Sequence, residues 1–375
     1  MKKVPSGVSG IAGSERTTSA SVTLTRGEMQ TNGSWADISL EGIQSSLRAE
    51  VTEAITSWFA TPDFCEYYSP EPANRLRFYR SPNGRIEHAF CYRNIAEGKR
   101  MIFGPLQLPF ATILGLPASL DCREVTLIRM TDVPAEIAST ARWRVSVRIT
   151  SNDFLLKLPA IPFEYLQSLG LQMQKQLPNY LRRVQREWGA RFRICFLRNE
   201  EIELVDFTSL VELNQLRMES KGTHSLWTSK LVHQRWLLSK RCGLICGLYN
   251  GERLVGGTLN YLHKRDAYMF LIGHDPEFDR FRLGKLALWL TTNHLIQSGV
   301  EQYHLLWGQA LYKEQFGALR LDLKEVVVFD GRLAAFCWHM AECAKMTRFE
   351  LIRFSRRLVN GVRRRLTFPS KTHDA

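Results

Sequence analysis

The sequence predicts a mixed α/β (α+β) protein with two domains, each a mostly antiparallel sheet flanked by helices. The chain has 375 residues, which is long for one hydrophobic core and short for three. Hydrophobic residues are 45% and charged residues 23% of the chain, as in ordinary globular proteins. Segments in which apolar residues recur with the spacing of β-strands alternate with segments in which they recur with the spacing of α-helices. No internal repeat is visible in the residues, so length and segment order alone predict the two domains.

The first domain is predicted over residues 36–165. Residues 1–35 are rich in Ser, Thr and Gly, which predicts a disordered tail before it. Apolar spacing predicts a helix over Ile38–Phe59, and short strands then follow between an Asn-Gly turn and several prolines. These strands are Leu76–Tyr79, Arg85–Tyr92, Lys99–Phe103, Glu124–Arg129 and Trp143–Ile149. The domain ends in the proline-marked connector LKLPAIPFEYLQSLG.

The second domain is predicted over residues 166–330. A helix begins in LPNYLRRVQREWGARFRICF and changes to strand near Phe192, and a second helix covers Phe207–Met218. An antiparallel meander follows, because Asn250-Gly251 is a strong hairpin turn. Its strands, and the later elements, are Leu244–Tyr249, Leu254–Leu262, Ala267–Gly273, the helix Leu286–Ile296, and the strands Gln302–Trp307 and Lys324–Phe329.

Two short segments carry most of the net charge of +13. Residues 345–375 hold nine Lys or Arg against two acidic residues, and residues 182–193 hold five Arg against one Glu. This clustering does not favour a DNA-coating protein, whose basic surface is broader. The arginines at 182, 183 and 186 suit CoA phosphates, an anionic acceptor or tRNA, and a solvated face is the ordinary alternative.

A basic helical extension is predicted over residues 331–375. Within residues 345–366, apolar residues form one stripe of a helix, and most arginines lie on the other side. The pattern suits either a helix docked on the first domain or weak, salt-dependent contact with an anionic membrane.

The remaining bulk features predict a cytoplasmic protein, with peripheral contact to the inner face of the membrane left open. No stretch approaches the ~20 apolar residues of a spanning helix, and no signal peptide is visible. The eight cysteines are expected to be buried thiols in a chain of this size. A zinc site is not predicted, because Cys242-x3-Cys246 lacks a second pair and Cys337, His339 and Cys343 do not share a helix face.

Residues Leu177–Ala318 resemble a known superfamily. The order of meander, loop, helix, strand and polar turn, with the stretches LPNYLRRVQREW, GERLVGGTLNYLHKRDAYMFLIGHDPEFDRFRLGKLAL and YKEQFGA, is similar to that of GNAT acyltransferases. The similarity is to the FemAB-related, cellulose- or exopolysaccharide-biosynthesis (CelD-like) acetyltransferases, which implies tandem GNAT-like domains. The sequence departs from that group at Trp307–Leu311, where an Arg-Gly-Asp/Glu-like run is common, and its loop has one glycine where the superfamily has two.

The resemblance implies an acyl-CoA donor, such as acetyl-CoA, and no metal. The strands near residues 270 and 306 are then expected to diverge and admit the pantetheine arm. The helix start after DPEFDRFRLGK offers backbone N–H groups and basic side chains to the pyrophosphate. A solvated basic turn is the ordinary alternative. The cofactor-binding residues implied are Phe270, Ile272, Arg280, Arg282, Leu283, Gly284 and Lys285.

Tyr312 and Lys313 are the main candidates for catalysis. Acyl transfer needs a donor for the tetrahedral oxyanion and an acid for the leaving sulfur. A tyrosine hydroxyl can supply the acid, and a lysine ammonium can stabilise an oxyanion. Neighbours on a helix point about 100° apart, so we expect one to contact the reacting centre and the other to assist from the side. A packed tyrosine and a solvated lysine are the alternative.

Other candidates are supported by position alone. Asp275 is expected to act as a base or, as such aspartates commonly do, to cap the turn. Arg217 is expected to bind an acidic substrate group or to pair with Glu212 or Glu219 on its own helix. The predicted substrate-binding residues are Arg217, Trp227, Trp307 and Gln309.

Together these features predict an acyl-CoA-dependent N- or O-acyltransferase acting on a saccharide or cell-envelope precursor. One alternative is a FemAB-like transferase that uses aminoacyl-tRNA, which the arginine-rich segment keeps open. The other alternative is a non-catalytic GNAT-fold accessory protein of an envelope polysaccharide system, which the departure at Trp307–Leu311 favours.

Overall fold

A computed structural model describes most of the chain between Ser34 and residue 344. The described ranges are 34–104, 110–131, 133, 144–220, 222, 227–308 and 311–344. The strands are β1 Ser34–Ser39, β2 Asn74–Arg80, β3 Ile86–Ala96, β4 Lys99–Ile102, β5 Glu124–Met130, β6 Val145–Lys157, β7 Phe192–Arg198, β8 Gly243–Asn250, β9 Arg253–His263, β10 Asp266–His274, β11 Gln302–His304 and β12 Leu319–Phe329. The helices are α1 Ser45–Ala54, α2 Phe110–Ser119, α3 Pro162–Ser168, α4 Leu171–Trp188, α5 Leu204–Glu219, α6 Ser229–Cys242, α7 Leu283–Gln297, α8 Leu311–Gln315 and α9, residues 332–344. The predicted mixed α/β (α+β) class is confirmed.

The strands form one mixed sheet whose order is symmetric about its centre. The order is β1-β2-β3-β4-β5-β12-β6-β11-β10-β9-β8-β7. Read inward from either edge, the fourth and fifth strands pair in parallel, and every other pair is antiparallel. The two halves of the chain therefore repeat one topology, although their residues show no repeat.

The two halves exchange a strand at the centre of the sheet. Strand β6 belongs to the first half but lies between β11 and β12, whereas β12 belongs to the second half and lies between β5 and β6. The hydrophobic cores show the same exchange. Phe154 of β6 is buried in the core of the second half, and Val328 of β12 is buried in the core of the first half. The predicted domain limits at residues 165 and 330 remain predictions, because the sheet runs through both halves.

The sheet carries a hydrophobic core on each face of the second half. Alternate residues of β8 enter different cores, Leu244 and Cys246 on one side and Ile245 on the other. Helices α3, α4 and α7 cover the first core, and α1, α5 and α6 cover the second. Cys65, Cys91, Cys122 and Cys246 are buried thiols, as expected, and Cys195 and Cys242 are half-buried. The expectation is wrong for Cys337 and Cys343, which are exposed on α9.

The predicted helix over Ile38–Phe59 is wrong at both ends. Residues Ser34–Ser39 pair with β2 as an edge strand, so two residues of the predicted tail also belong to the sheet. Gly42, at φ 73°, turns the chain before α1, and Trp58 and Phe59 lie in a separate buried turn. Strand pairing outweighs the helical spacing of the apolar residues, because the sheet edge satisfies backbone hydrogen bonds.

Several other predicted boundaries are wrong. Strand β11 ends at His304 rather than Trp307, and β12 begins at Leu319 rather than Lys324. Strand β6 runs on to Lys157, and part of the connector after it is helical as α3. Helix α6 is not predicted, because its apolar residues are few and it ends in Lys240 and Arg241. The basic segment 345–366 lies outside the described residues. Within the described residues, no helix combines the length and apolarity needed to cross a bilayer.

Candidate active site

Strands β10 and β11 pair only briefly and then diverge. The parallel ladder consists of the pairs Asp266–Gln302, Ala267–Tyr303 and Tyr268–His304. Strand β10 continues to His274, with a register shift against β9 between Met269 and Leu271, and such irregularities bend a strand. After His304 the chain leaves the sheet through Leu306, which has φ 56°. The outer end of β10 is therefore separated from β11, as the sequence analysis expected.

Asp275 holds the turn that follows β10. Its carboxylate accepts a hydrogen bond from the backbone N–H of Glu277 at 3.0 Å and pairs with Arg253. Asp275 is 2% exposed, and each carboxylate oxygen already has a partner. This arrangement supports the capping alternative for Asp275 and leaves it poorly placed to act as a base.

Helix α7 begins beside this turn with backbone N–H groups directed outward. Arg282 adopts a left-handed conformation, φ 55°, and its carbonyl accepts the N–H of Leu286 at 3.1 Å. The N–H groups of Leu283, Gly284 and Lys285 precede that first bond and have no acceptor within the helix. This end of α7 carries the positive end of the helix dipole and suits an anion.

The side chain of Lys285 joins the start of α7 to α8. Its ammonium donates to Gln315 Oε1 at 3.0 Å. Burial and the neighbouring charge of Arg282 lower the pKa of Lys285. Helix α7 follows β10 and helix α8 follows β11. This bond therefore crosses the opening where the two strands diverge, which we call the mouth of the site.

Lys313 is buried and fully engaged by the backbone. Its ammonium donates to the carbonyls of Leu306, Trp307 and Gly308 at 2.9, 2.7 and 3.1 Å. These bonds use all three donors of the ammonium and fix the segment that leaves β11. Burial lowers the pKa of Lys313 to about 8, against the opposing effect of Asp153. In this arrangement Lys313 positions the segment after β11.

The stability of the protein relative to Lys313→Met is expected to rise with pH between about 8 and 10.5. The folded protein releases the Lys313 proton near pH 8, whereas the unfolded chain keeps it to about 10.5, so unfolding in this interval takes up a proton. Urea unfolding of both proteins across this range measures the difference. A difference that stays constant or falls with pH would contradict the lowered pKa.

The charge of Arg217 reaches the phenol of Tyr312. Burial raises the pKa of Tyr312, and the charge of Arg217 on α5 acts in the opposite direction. One turn earlier on α5, Asn214 Nδ2 donates to the carbonyl of Ile272 at 2.8 Å. Asn214 therefore anchors α5 to the outer part of β10, and Arg217 lies near the divergence rather than in an ion pair with Glu212 or Glu219.

The sequence of this region matches a known family. Residues 172–314 match the model described as an acetyltransferase (GNAT) domain. These residues form a GNAT domain. The matched range contains β10, α7, β11 and most of α8, which are the elements around the divergence.

Comparison with solved structures shows the fold in one case and weaker similarity in two others. The crystal structure of FemX is similar over 78% of this chain and 96% of its own, with a TM-score of 0.59 and 7% identity, which shows a common fold. A tandem GNAT protein from the clavulanic acid biosynthesis pathway aligns over 78% of this chain and 98% of its own (12% identity, TM-score 0.40). The C-terminal domain of a putative lysylphosphatidylglycerol synthetase from Agrobacterium fabrum aligns over 68% and 84% (12% identity, TM-score 0.44). No curated protein matches this chain.

Several of the predicted cofactor-binding residues have side chains that are engaged elsewhere in the GNAT domain. Arg280 pairs with Glu187 of α4 at 2.9 Å, and its carbonyl accepts a hydrogen bond from Arg183. Leu283 contributes only its backbone, because its side chain is fully buried in the core. A Cβ on Gly284 would lie 3.2 Å from His274 Nδ1, so the glycine permits close packing against β10.

The other predicted binding residues, on β10 and among the substrate-binding candidates, lie in different parts of the GNAT domain. The ring of Phe270 contacts Trp227 edge-on at 6.0 Å on the face covered by α5 and α6. Ile272 enters the opposite core. Trp307 is 46% exposed on the segment fixed by Lys313. Gln309 lies outside the described residues.

Sequence reasoning missed a charged cluster beside the divergence. His304 Nδ1 donates to Asp153 Oδ2 at 2.6 Å, and its ring stacks on Tyr268 at 4.6 Å. Burial opposes ionisation of Asp153, but the hydrogen bond and charge of His304, with the charge of Arg129, lower its pKa. The signals available were an aspartate directly before the apolar run FLL of β6 and a histidine within the mostly apolar stretch YHLLW. Among the described residues, no three His, Cys, Asp or Glu side chains form a metal-binding group.

Proposed function

We propose that the C-terminal half transfers an acyl group from acyl-CoA, with acetyl-CoA as the first candidate, to an amine or hydroxyl of a saccharide or cell-envelope precursor. The observation that carries this proposal is the divergence of β10 from β11 beside the outward-facing N–H groups of α7. The α7 start, Arg282 and Lys285 suit the phosphates of the donor. The gap between the strands suits its narrow arm.

Tyr312 supplies the acid in this proposal. A phenol is protonated at neutral pH, so Tyr312 carries a proton that it can pass to the leaving sulfur. Arg217, whose charge acts on Tyr312, suits an acidic group of the acceptor. Lys313 acts indirectly, by holding the segment from Leu306 to Gly308 against the site.

Calorimetry with acetyl-CoA tests the donor site. The wild-type protein is expected to bind acetyl-CoA, and Lys285→Glu is expected to weaken binding roughly tenfold or more, because the substitution reverses a charge near the phosphates. Lys264→Glu is the matched control, since Lys264 lies at the opposite end of β10. Equal affinity in all three proteins would remove the α7 start from the donor site.

A non-catalytic accessory role is the second candidate function. It is favoured by the contacts of Asp275 and Lys313, whose polar atoms are occupied within the protein. The accessory role would be supported if millimolar acetyl-CoA produced no heat of binding and no shift in the melting temperature. Salt-sensitive tRNA binding would instead support the aminoacyl-tRNA alternative. Contact of residues 345–366 with anionic membranes stays a prediction.

A further inference from the structure

Arg129 lies near the end of β5. The other half of the sheet has an apolar residue, Leu306, at the equivalent position. Strand β5 pairs with β4 up to Leu127, and Arg129, two residues later, has φ 63°. In the other half, β11 pairs with β10 up to His304, and Leu306, two residues later, has φ 56°. The two positions are equivalent in the symmetric sheet. Because Leu306 is 4% exposed in a hydrophobic core, the fold itself does not require a charge here.

The guanidinium of Arg129 lies between aromatic rings from both halves. Its central carbon is 3.7 Å from the ring centroid of Phe59 and 5.3 Å from that of Trp307. Burial lowers the pKa of Arg129, and its Nε is buried without a hydrogen-bond partner in the protein. Tyr68 and Tyr268 face the same group, and burial raises the pKa of both phenols, so they are neutral.

Asp153 does not serve as a dedicated partner for Arg129. It acts on the guanidinium through space, but its Oδ2 accepts from His304 and its Oδ1 from the backbone N–H of Phe154. A largely buried cation without a hydrogen-bonded counter-ion is unfavourable in a folded protein.

We propose that Arg129 binds an anionic oxygen group, a carboxylate or a phosphate, on a ligand that enters beside Trp307. The planar fork of a guanidinium matches both groups through paired hydrogen bonds. The rings of Phe59 and Trp307 limit water around the charge and so strengthen its attraction for an anion. Trp307 is 46% exposed, which leaves an approach to the guanidinium from its side.

The position connects this anion site with the GNAT domain. Trp307 belongs to the segment that leaves β11 and that Lys313 holds in place. A ligand anchored at Arg129 therefore lies beside the divergence of β10 and β11. The anion site does not depend on the proposed acyl transfer. If the protein does transfer acyl groups, the anion is part of the acceptor.

Thermal unfolding in different anions tests the site. The probes are sodium phosphate, glucosamine 6-phosphate and sodium glucuronate, each compared with sodium chloride at equal ionic strength. At least one probe is expected to stabilise the wild-type protein, and Arg129→Leu, which copies the equivalent Leu306, is expected to bind that probe roughly tenfold or more weakly. In chloride, Arg129→Leu is expected to melt at the same temperature as the wild type or higher. The phosphate and glucuronate arms distinguish the two anion classes.

Arg93→Leu is the matched control. Arg93 also lies over a ring, with its central carbon 5.0 Å from the Phe103 centroid, but it donates to Ser69 and Asn74. Its loss is expected to lower the melting temperature and leave the anion response intact. The proposal is wrong if no probe stabilises the wild type, or if Arg129→Leu keeps the full response. Should Arg129→Leu not fold, Arg129→Gln is judged by the same anion response, and a full response again overturns the proposal.

Discussion

Tyr312→Phe is expected to lower the turnover of acyl transfer roughly 100-fold or more, the usual contribution of a general acid. The substitution removes only the hydroxyl, so the ring still packs against the core that includes α7 and β11. Binding of acetyl-CoA is expected to change little. Release of free thiol from acetyl-CoA, followed with an amine acceptor, measures the turnover.

Tyr180→Phe is the control for this experiment. Tyr180 is also partly buried against the same core, but its hydroxyl donates to Gln176 on its own helix. It is expected to keep wild-type turnover. If Tyr312→Phe also turns over at the wild-type rate, Tyr312 has no part in the chemistry. A protein that binds acetyl-CoA but transfers nothing to any amine or sugar would favour the accessory role.

Phe154→Ala is expected to lower the free energy of unfolding by about 3–5 kcal/mol, as for other buried phenylalanines. Phe154 lies on β6, which comes from the first half, but it is 1% exposed in the core of the second half. Because β6 and β12 join both halves in one sheet, the whole sheet is expected to unfold together. Urea titration with hydrogen exchange at β2 and β8 measures the loss in each half.

Ile149→Ala is the control on the same strand. Ile149 is 62% exposed, so its truncation is expected to cost less than about 1 kcal/mol. If Phe154→Ala shifts protection at β8 but not at β2, the two halves unfold independently and the exchanged strands do not couple them. An equal cost for Phe154→Ala and Ile149→Ala would place Phe154 outside the core.

The sequence alone determined the fold class and the order of the elements from β8 to β12, although it missed helix α6 before them. The meander from Leu244 to Gly273 was readable because Asn250-Gly251 fixes a turn and the strands alternate on either side. The apolar helix after the loop and the position of Tyr312 followed from the same local patterns. These features depend on residues close together in the chain, where backbone geometry and burial act over a few positions.

Only the tertiary structure decided the symmetry and the roles of the charged side chains. The exchange of β6 and β12 pairs residues more than 150 positions apart, as in Leu319–Leu155, and no local pattern encodes such a pairing. Lys313 was expected to contact the reacting centre, to assist from the side or to be solvated, yet it is buried and donates to three carbonyls. Arg129 was read only as the end of a strand, and the rings that flank it come from Phe59 and Trp307. A charged side chain takes its role from partners that are distant in sequence, because folding decides which groups share its low-dielectric surroundings.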